Sequence, residues 1–311
     1  MSELLHISSA PHDRGSLSTK AVMRDVLLAL LPTTVLGIWA HGWYSALIIL
    51  LSITAAVLTE YVFDAITKRG NTVTDGSAIL TGLLLALTLP ANVPVYIPVL
   101  GAVFAILVVK CLFGGLGKNF ANPAITGRVF MLLAFSSVAG GAKPAVVELV
   151  SSATPLELLA QGSENAPSLM ELFLGLHGGA IGETCCLALL LGFAWLLFRR
   201  VIKWHVPVIF IGTVFVLYLV FTGSFQMALA EILAGGLFIG AIFMATDYVT
   251  SPITLKGKMV FALGCGLVTF IIRYFCAYPE GVSFSILAMN ILTPYIEKFT
   301  ANTPLGGSKN G

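Results

Sequence analysis

Charge is what this chain has least of. Lys, Arg, Asp and Glu make up only 10% of its 311 residues and hydrophobic residues 57%, whereas an average soluble domain is roughly 25% charged. Mean hydropathy is +0.95. Water is therefore not the main solvent of this chain, and its partners are expected to be lipid and other proteins. Basic clusters are also missing. The formal net charge is +2, and no stretch gathers the Lys and Arg that a nucleic-acid surface requires. Met1 to Lys20 contains His6, His12, Asp13 and Arg14 and no continuous apolar core, so it does not read as a cleaved signal peptide and is expected to stay cytoplasmic. Cysteines are few and scattered, at Cys111, Cys185, Cys186, Cys265 and Cys276. Their apolar surroundings and the lack of a Cys-x-x-Cys spacing suggest neither zinc nor an iron–sulfur cluster, and they read as small buried hydrophobes.

What is present is a series of apolar runs. A hydrocarbon core about 30 Å thick takes roughly 20 helical residues, and shorter runs suggest broken or re-entrant helices. Ten candidates lie at approximately 22–41, 45–66, 76–90, 93–111, 120–138, 180–198, 205–222, 228–246, 258–276 and 282–297. The expected fold is thus an all-α polytopic membrane protein of about ten transmembrane helices. Lys and Arg accumulate in cytoplasmic loops, which sets the orientation. With the amino terminus inside, the cytoplasmic ends and loops collect Arg14, Lys20, Arg24, Lys68, Arg69, Lys110, Lys118, Arg199, Arg200, Lys203, Lys256, Lys258, Lys298 and Lys309, out of 17 basic residues. Lys143 and Arg273 fall outside, and Arg128 falls within a span. Both termini are then cytoplasmic, in a cytoplasmic (inner) membrane.

The expected organisation is a cytoplasmic segment 1–20, a first five-helix repeat 21–138, an external loop 139–178, a second repeat 179–298 and a cytoplasmic tail 299–311. Five spans per half force the halves to be inverted. Gly82 and Thr88 in span three share a spacing with Gly240 and Thr246 in span eight, in keeping with such a repeat. Inverted repeats with interrupted helices place sites near the midplane, where freed backbone groups meet a ligand or ion.

Ionisable groups within spans are costly and need a partner, a cavity or a function. Glu60 and Asp64 share one face of span two, Arg128 lies in span five and Glu231 in span eight. Asp25 sits close enough to a boundary to be solvated at the interface. Arg128 has two readings: a salt bridge to Glu60 or Asp64 that braces helices, or a clamp for a phosphate or flavin ring. Asp75-Gly76 opens span three; Asp75 suits a helix N-cap, and the Gly-rich start also permits close approach of a bound molecule. Asn122-Pro123 starts span five after the glycine-rich turn Gly114 to Gly117, which can bind anions but lacks the Walker spacing. Asp75, Asn122 and Arg128 are accordingly expected near a flavin or ion site. In the external loop, Ser151-Ser152-Ala153-Thr154 precedes Pro155, which disfavours helix at Thr154 and leaves its hydroxyl in irregular chain. On its own this is equally a Ser/Thr turn or cap.

Set in a ten-span scaffold, Ser151 to Thr154 resembles the flavinylation motif of bacterial flavoproteins, in which a final Thr carries FMN as a phosphoester. Asp75 to Ala78, Leu87 to Pro90, Gly117 to Ala124 and Ala245 to Pro252 are similar to strips of one membrane-protein family. That family comprises the D subunits of Rnf complexes and the B subunits of sodium-pumping NADH:quinone reductases. Glu148 stands where the motif has Asp, and Ser152 where it has Gly.

The resemblance implies a fold similar to urea and ammonium transporters, and electron transfer through FMN held covalently on Thr154, often joined by a noncovalent riboflavin. It also implies Na⁺ or H⁺ movement coupled to electron flow between ferredoxin and NAD⁺. The implied partners are the other Rnf subunits, including the FMN-bearing G subunit, and a flavin transferase for maturation. Ser151, Ser152, Ala153, Arg128, Asn122, Asp75 and Gly76 are the accompanying flavin-site candidates. No metal ligand set is expected. The competing readings are an inverted-repeat solute or ion channel without redox activity, and a structural membrane subunit.

Overall fold

The computed structural model of the chain describes residues 18–68, 70, 72–135, 168–175, 179–183, 185–276 and 281–301. The regular secondary structure among these residues is helical; one β-bridge, between Pro90 and Ala180, stands outside the helices. The flavinylation-like strip Ser151 to Thr154 lies outside the described residues, as does most of the loop 139–178.

Caps written into the sequence start several of the helices. Helix α1 (Thr19–His41) begins at Ser18, whose hydroxyl accepts from the Ala21 amide. Helix α2 (Trp43–Thr67) follows Gly42 and stops at Lys68, which is left-handed with φ 53°. A 3₁₀ turn (Val73–Asp75) leads into α3 (Ser77–Leu87). Helix α4 (Tyr96–Cys111) ends in π-helical turns over Ala105–Cys111, and α5 (Pro123–Ala134) has Asn122 as its cap and Pro in its first turn. The short α6 (Leu169–Leu174) carries a Ser168–Glu171 capping box. The second half comprises α7 (Cys186–Phe198), α8 (His205–Thr222), α9 (Phe225–Leu233), α10 (Leu237–Met244), α11 (Leu255–Phe275) and α12 (Val282–Thr300).

Four of these, α1, α2, α8 and α11, are long and apolar enough to cross a membrane, and the α9–α10 pair, bent by 65°, makes a fifth if taken as one span. Their 18 to 25 residues correspond to roughly 27 to 38 Å at 1.5 Å per residue. The chain is thus a multi-pass membrane protein. Helices α3, α4, α5 and α7 are apolar but shorter.

The breaks have physical causes. Pro90 ends α3 and frees carbonyls that residues 179–183 satisfy: Gly182 N–H donates to Leu87 O (2.7 Å) and Ile181 N–H to Leu89 O (3.0 Å). A Cβ on Gly182 would lie 2.6 Å from Leu87 Cβ, so only glycine allows this approach. This pairing also explains why α7 starts at Cys186 and not at 180, where hydropathy alone would begin it. Span eight, read from the sequence as one helix, is split at Gly235, which has φ +71°.

Helix α2 packs on α3 and α4, and α8 on α9 and α11, while α1 meets α7 and α5 meets α12 across the two halves. Small residues set these approaches: a Cβ on Gly192 of α7 would come 2.4 Å from Ala29 O of α1, and one on Gly82 of α3 would come 2.8 Å from Ile53 Cα of α2. The Gly82/Thr88 and Gly240/Thr246 echo has a packing role. Both glycines sit against neighbouring helices, and both threonines bond back to their own, to Leu85 O and Ile242 O.

Three charges differ from their sequence reading. Asp25 is buried, not solvated, and accepts from Arg199 Nε at 3.1 Å, tying α1 to the end of α7. Arg273 is buried rather than external. It donates to Glu231 O (2.7 Å) and Ala234 O (3.4 Å) at the end of α9, with the Glu231 carboxylate 3.8 Å away. The ion-pair partner of Glu60 is Lys110, at 2.6 Å, with both side chains no more than 2% exposed.

Candidate functional site

A cavity opens where the start of α3, the start of α5, the π turns of α4 and the end of α10 converge against α1. Its walls are apolar at Leu80, Leu84, Ile242 and Phe243 and polar at Ser77, Thr81, Lys110, Asn119, Asn122, Thr246, Asp247 and Tyr248. Its empty volume is about 800 Å³, mouth and adjoining solvent included.

Asn122 is the hub. Its Oδ1 accepts from the Ala124 and Ile125 amides (3.0 and 3.3 Å), which fixes the cap and leaves Nδ2 to reach Met244 O (3.4 Å) and Asp247 Oδ2 (3.5 Å) in the other half. Asp247 in turn accepts from Val249 N–H and Thr250 Oγ1. Burial raises the pKa of the Asp247 carboxyl, and those two hydrogen bonds oppose it. With its amide oriented to satisfy both neighbours, Asn290 on α12 accepts from Asn122 N–H (3.1 Å) and donates to Thr250 O (3.2 Å). Polar contacts thus clamp the two halves at the cavity floor.

Asp75 is not itself the cap of α3; that position is Gly76, left-handed at φ +81°. Asp75 Oδ1 accepts from the Ser77 amide (2.7 Å) and from the Ser77 hydroxyl, so it orients a cavity-lining side chain from behind. The glycine-rich turn, with Gly114, Gly115 and Gly117 all at positive φ, brings Leu116 and Asn119 to the rim. Asn119 Oδ1 is buried there and has no hydrogen-bond partner among the described residues. Arg128 is buried on α5 and, like Asp75 and Gly76, does not line the cavity.

Beside the cavity runs a polar network that the sequence reading missed. Lys110 Nζ donates to Glu60 Oε1 (2.6 Å) and Ser77 Oγ (2.7 Å). Thr72 Oγ1 lies 2.6 Å from Glu60 Oε1 and 2.8 Å from Asp64 Oδ2, and its amide donates to Asp64 Oδ2 at 2.9 Å. Lys110 falls at the end of an apolar run, where it reads as a cytoplasmic flank; only the π turns show it directed inward. Asp247 stood within the strip Ala245 to Pro252 without a role. Among the described residues, no three His, Cys, Asp or Glu side chains gather as metal ligands.

Apolar walls, a polar end and an orphaned amide oxygen suit a flat heteroaromatic molecule with apolar faces and a hydrogen-bonding edge, as a flavin ring has. Sequence similarity places the chain among known proteins. A family model described as the NQR2, RnfD, RnfE family matches residues 6–306. The chain belongs to this family. The D subunit of the Na⁺-translocating ferredoxin:NAD⁺ oxidoreductase complex of Acetobacterium woodii is 43% identical over 314 residues, covering 99% of this chain and 98% of that protein. Its counterpart in the proton-translocating ferredoxin:NAD⁺ oxidoreductase complex of Clostridium ljungdahlii is 41% identical, covering 96% of each chain. The D subunit of the ion-translocating oxidoreductase complex of Stutzerimonas stutzeri is 37% identical over 94% of each. These Rnf relatives are subunits of an oxidoreductase complex, which moves the weight away from a channel without redox activity.

If the cavity seats a flavin, Ala124→Trp should expel it. Ala124 lines the cavity and is 1% exposed, so an indole there occupies the ring's space. Acid precipitation of the purified complex separates released flavin from flavin that stays on protein. The variant is expected to lose about one released equivalent and none of the retained kind. Unchanged release would exclude the cavity as the seat.

Proposed function

We propose that this chain is the D-type membrane subunit of an ion-translocating ferredoxin:NAD⁺ oxidoreductase complex, and that it passes electrons through bound flavin while the complex moves Na⁺ or H⁺. The observation that carries this reading is the near-full-length relationship to D subunits of such complexes. One of those relatives is named for Na⁺ and another for protons, so shared ancestry leaves the ion of this chain open.

FMN bound as a phosphoester to Thr154 by a flavin transferase is one carrier, and a noncovalent flavin such as riboflavin, seated between the halves, is the second. A flavin accepts one or two electrons, with a potential tuned by nearby charge and hydrogen bonds. Ser77, Asn119, Asn122 and Asp247 would supply the polar edge, and Leu84 and Phe243 the apolar faces. Ten spans in two inverted five-helix halves fit the cross-half contacts of α1 with α7 and α5 with α12, with the short helices as interrupted spans. The basic residues support a cytoplasmic membrane location, both termini inside, loop 139–178 outside and the cavity on the cytoplasmic side. The G subunit and the remaining Rnf subunits are the proposed partners.

An affinity tag on this chain tests the assignment. Mild detergent extraction should recover a multi-subunit assembly that reduces NAD⁺ with reduced ferredoxin. Recovery of the chain alone, from membranes that keep that activity, would overturn it.

A further inference from the structure

The network around Lys110 has a direction. One end, Thr72, is exposed, while Glu60, Asp64, Ser77 and Lys110 are buried, and the last two line the cavity. Between the ends no step is longer than 2.8 Å: Asp64 to Thr72, Thr72 to Glu60, Glu60 to Lys110, Lys110 to Ser77. A threonine hydroxyl has one hydrogen, yet two carboxyl oxygens face it. One of those contacts therefore accommodates a carboxyl proton or alternates with the other. Glu60 Oε2 is buried and has no hydrogen-bond partner among the described residues, which leaves a place for a proton. The network holds Glu60, Asp64 and Asp75 against the single ammonium of Lys110. Among the described residues, the other titratable groups that line the cavity are Asp247 and Tyr248. The backbone turns into π geometry at Ala105–Cys111, placing Lys110 in this chain, and such turns recur at functional sites.

We infer that Asp64, Thr72, Glu60 and Lys110 form a proton relay between the exposed surface at Thr72 and the cavity. Lys110 releases one proton from its ammonium to an acceptor in the cavity and becomes an amine. Glu60, protonated through the Thr72 hydroxyl, returns a proton to Lys110 Nζ and becomes a carboxylate. Thr72 accepts a proton on Oγ1 from Asp64 or solvent as it gives its own to Glu60. One proton enters, one leaves, and no electron moves within the relay. Resting on the proposed function, the acceptor is a nitrogen of the bound flavin, so that its reduction becomes proton-coupled at this face.

The purified whole complex tests this with Thr72→Val, Glu60→Gln and Lys110→Arg. Lys110→Arg keeps the positive charge and the ion pair, but a guanidinium does not release its proton. The first readout needs no flavin: after transfer into D₂O, exchange of the Lys110 ammonium protons is followed by NMR of isotope-labelled lysine, the signal being assigned by its absence in Lys110→Arg, and Glu60→Gln should slow it as Thr72→Val does. Thr72→Val should slow this exchange on the order of 100-fold. The second is reduction of the flavin that acid releases. In Lys110→Arg and Thr72→Val the flavin is retained, but its reduction slows by a similar factor and a diffusible weak acid restores the rate.

Wild-type exchange in Thr72→Val, or unchanged reduction in a Lys110→Arg complex that keeps its flavin, would overturn the relay. If Lys110→Arg does not assemble, Thr72→Val, altered only at the exposed end, decides on both readouts. If Ala124→Trp leaves the released flavin unchanged, the flavin site is lost and the D₂O exchange alone decides the relay.

Discussion

Thr154→Val is expected to give a chain lighter than wild type by one FMN. Valine keeps the β-branched shape of threonine and its preference for extended chain before Pro155, so the segment keeps its conformation. It removes the only oxygen at position 154 that could form a phosphoester. Intact mass spectrometry of the chain, co-expressed with a flavin transferase, reads the result directly, and in-gel fluorescence after denaturation gives it a second time. Ferredoxin-dependent NAD⁺ reduction by the complex is expected to vanish while subunit composition is unchanged. Thr154→Ser retains an oxygen and should carry the group in part. A wild-type mass without FMN would defeat the assignment, whereas FMN persisting in Thr154→Val would move it to Ser151 or Ser152.

Arg273→Leu is expected to be the most damaging single change to the fold. Its guanidinium satisfies the carbonyls of Glu231 and Ala234, left open where α9 stops, and balances the Glu231 carboxylate. Removing it strands a buried charge together with freed carbonyls, and breaking one partner of a buried pair costs about 3 to 5 kcal/mol. Adding Glu231→Gln to Arg273→Leu removes the stranded charge and should restore part of that loss. Thermal unfolding of the detergent-solubilised complex measures both variants. A single variant that melts with wild type, or a double variant no better than the single, would refute this account of the α9 break.

Much of the site's outline is legible in the sequence, for reasons that can be named. Asn122-Pro123 announces a capped helix start, and Asn122 is that cap; its amide nitrogen then reaches Asp247, 125 residues away. Asp75-Gly76 marks a break, yet the side chain it presents to the cavity is Ser77. The sequence offers Arg128 as a partner for Glu60, but the position is taken by Lys110, because the π turns rotate that side chain inward. Asp25, close to a boundary by hydropathy, is buried by a pairing with Arg199, 174 residues on.

The sequence by itself determined the class of this protein: apolar run lengths demand a membrane, and caps, prolines and glycines place most helix ends. These are properties of the chain against its solvent or within one helical turn, so no distant residue is needed to read them. Only the tertiary structure decided which carboxylate meets which cation, that residues 179–183 complete the break after α3, and that a cavity lies between the halves. Those depend on helices meeting side by side across 50 to 174 residues of chain, where glycine contacts set the approach and buried polar groups must find partners.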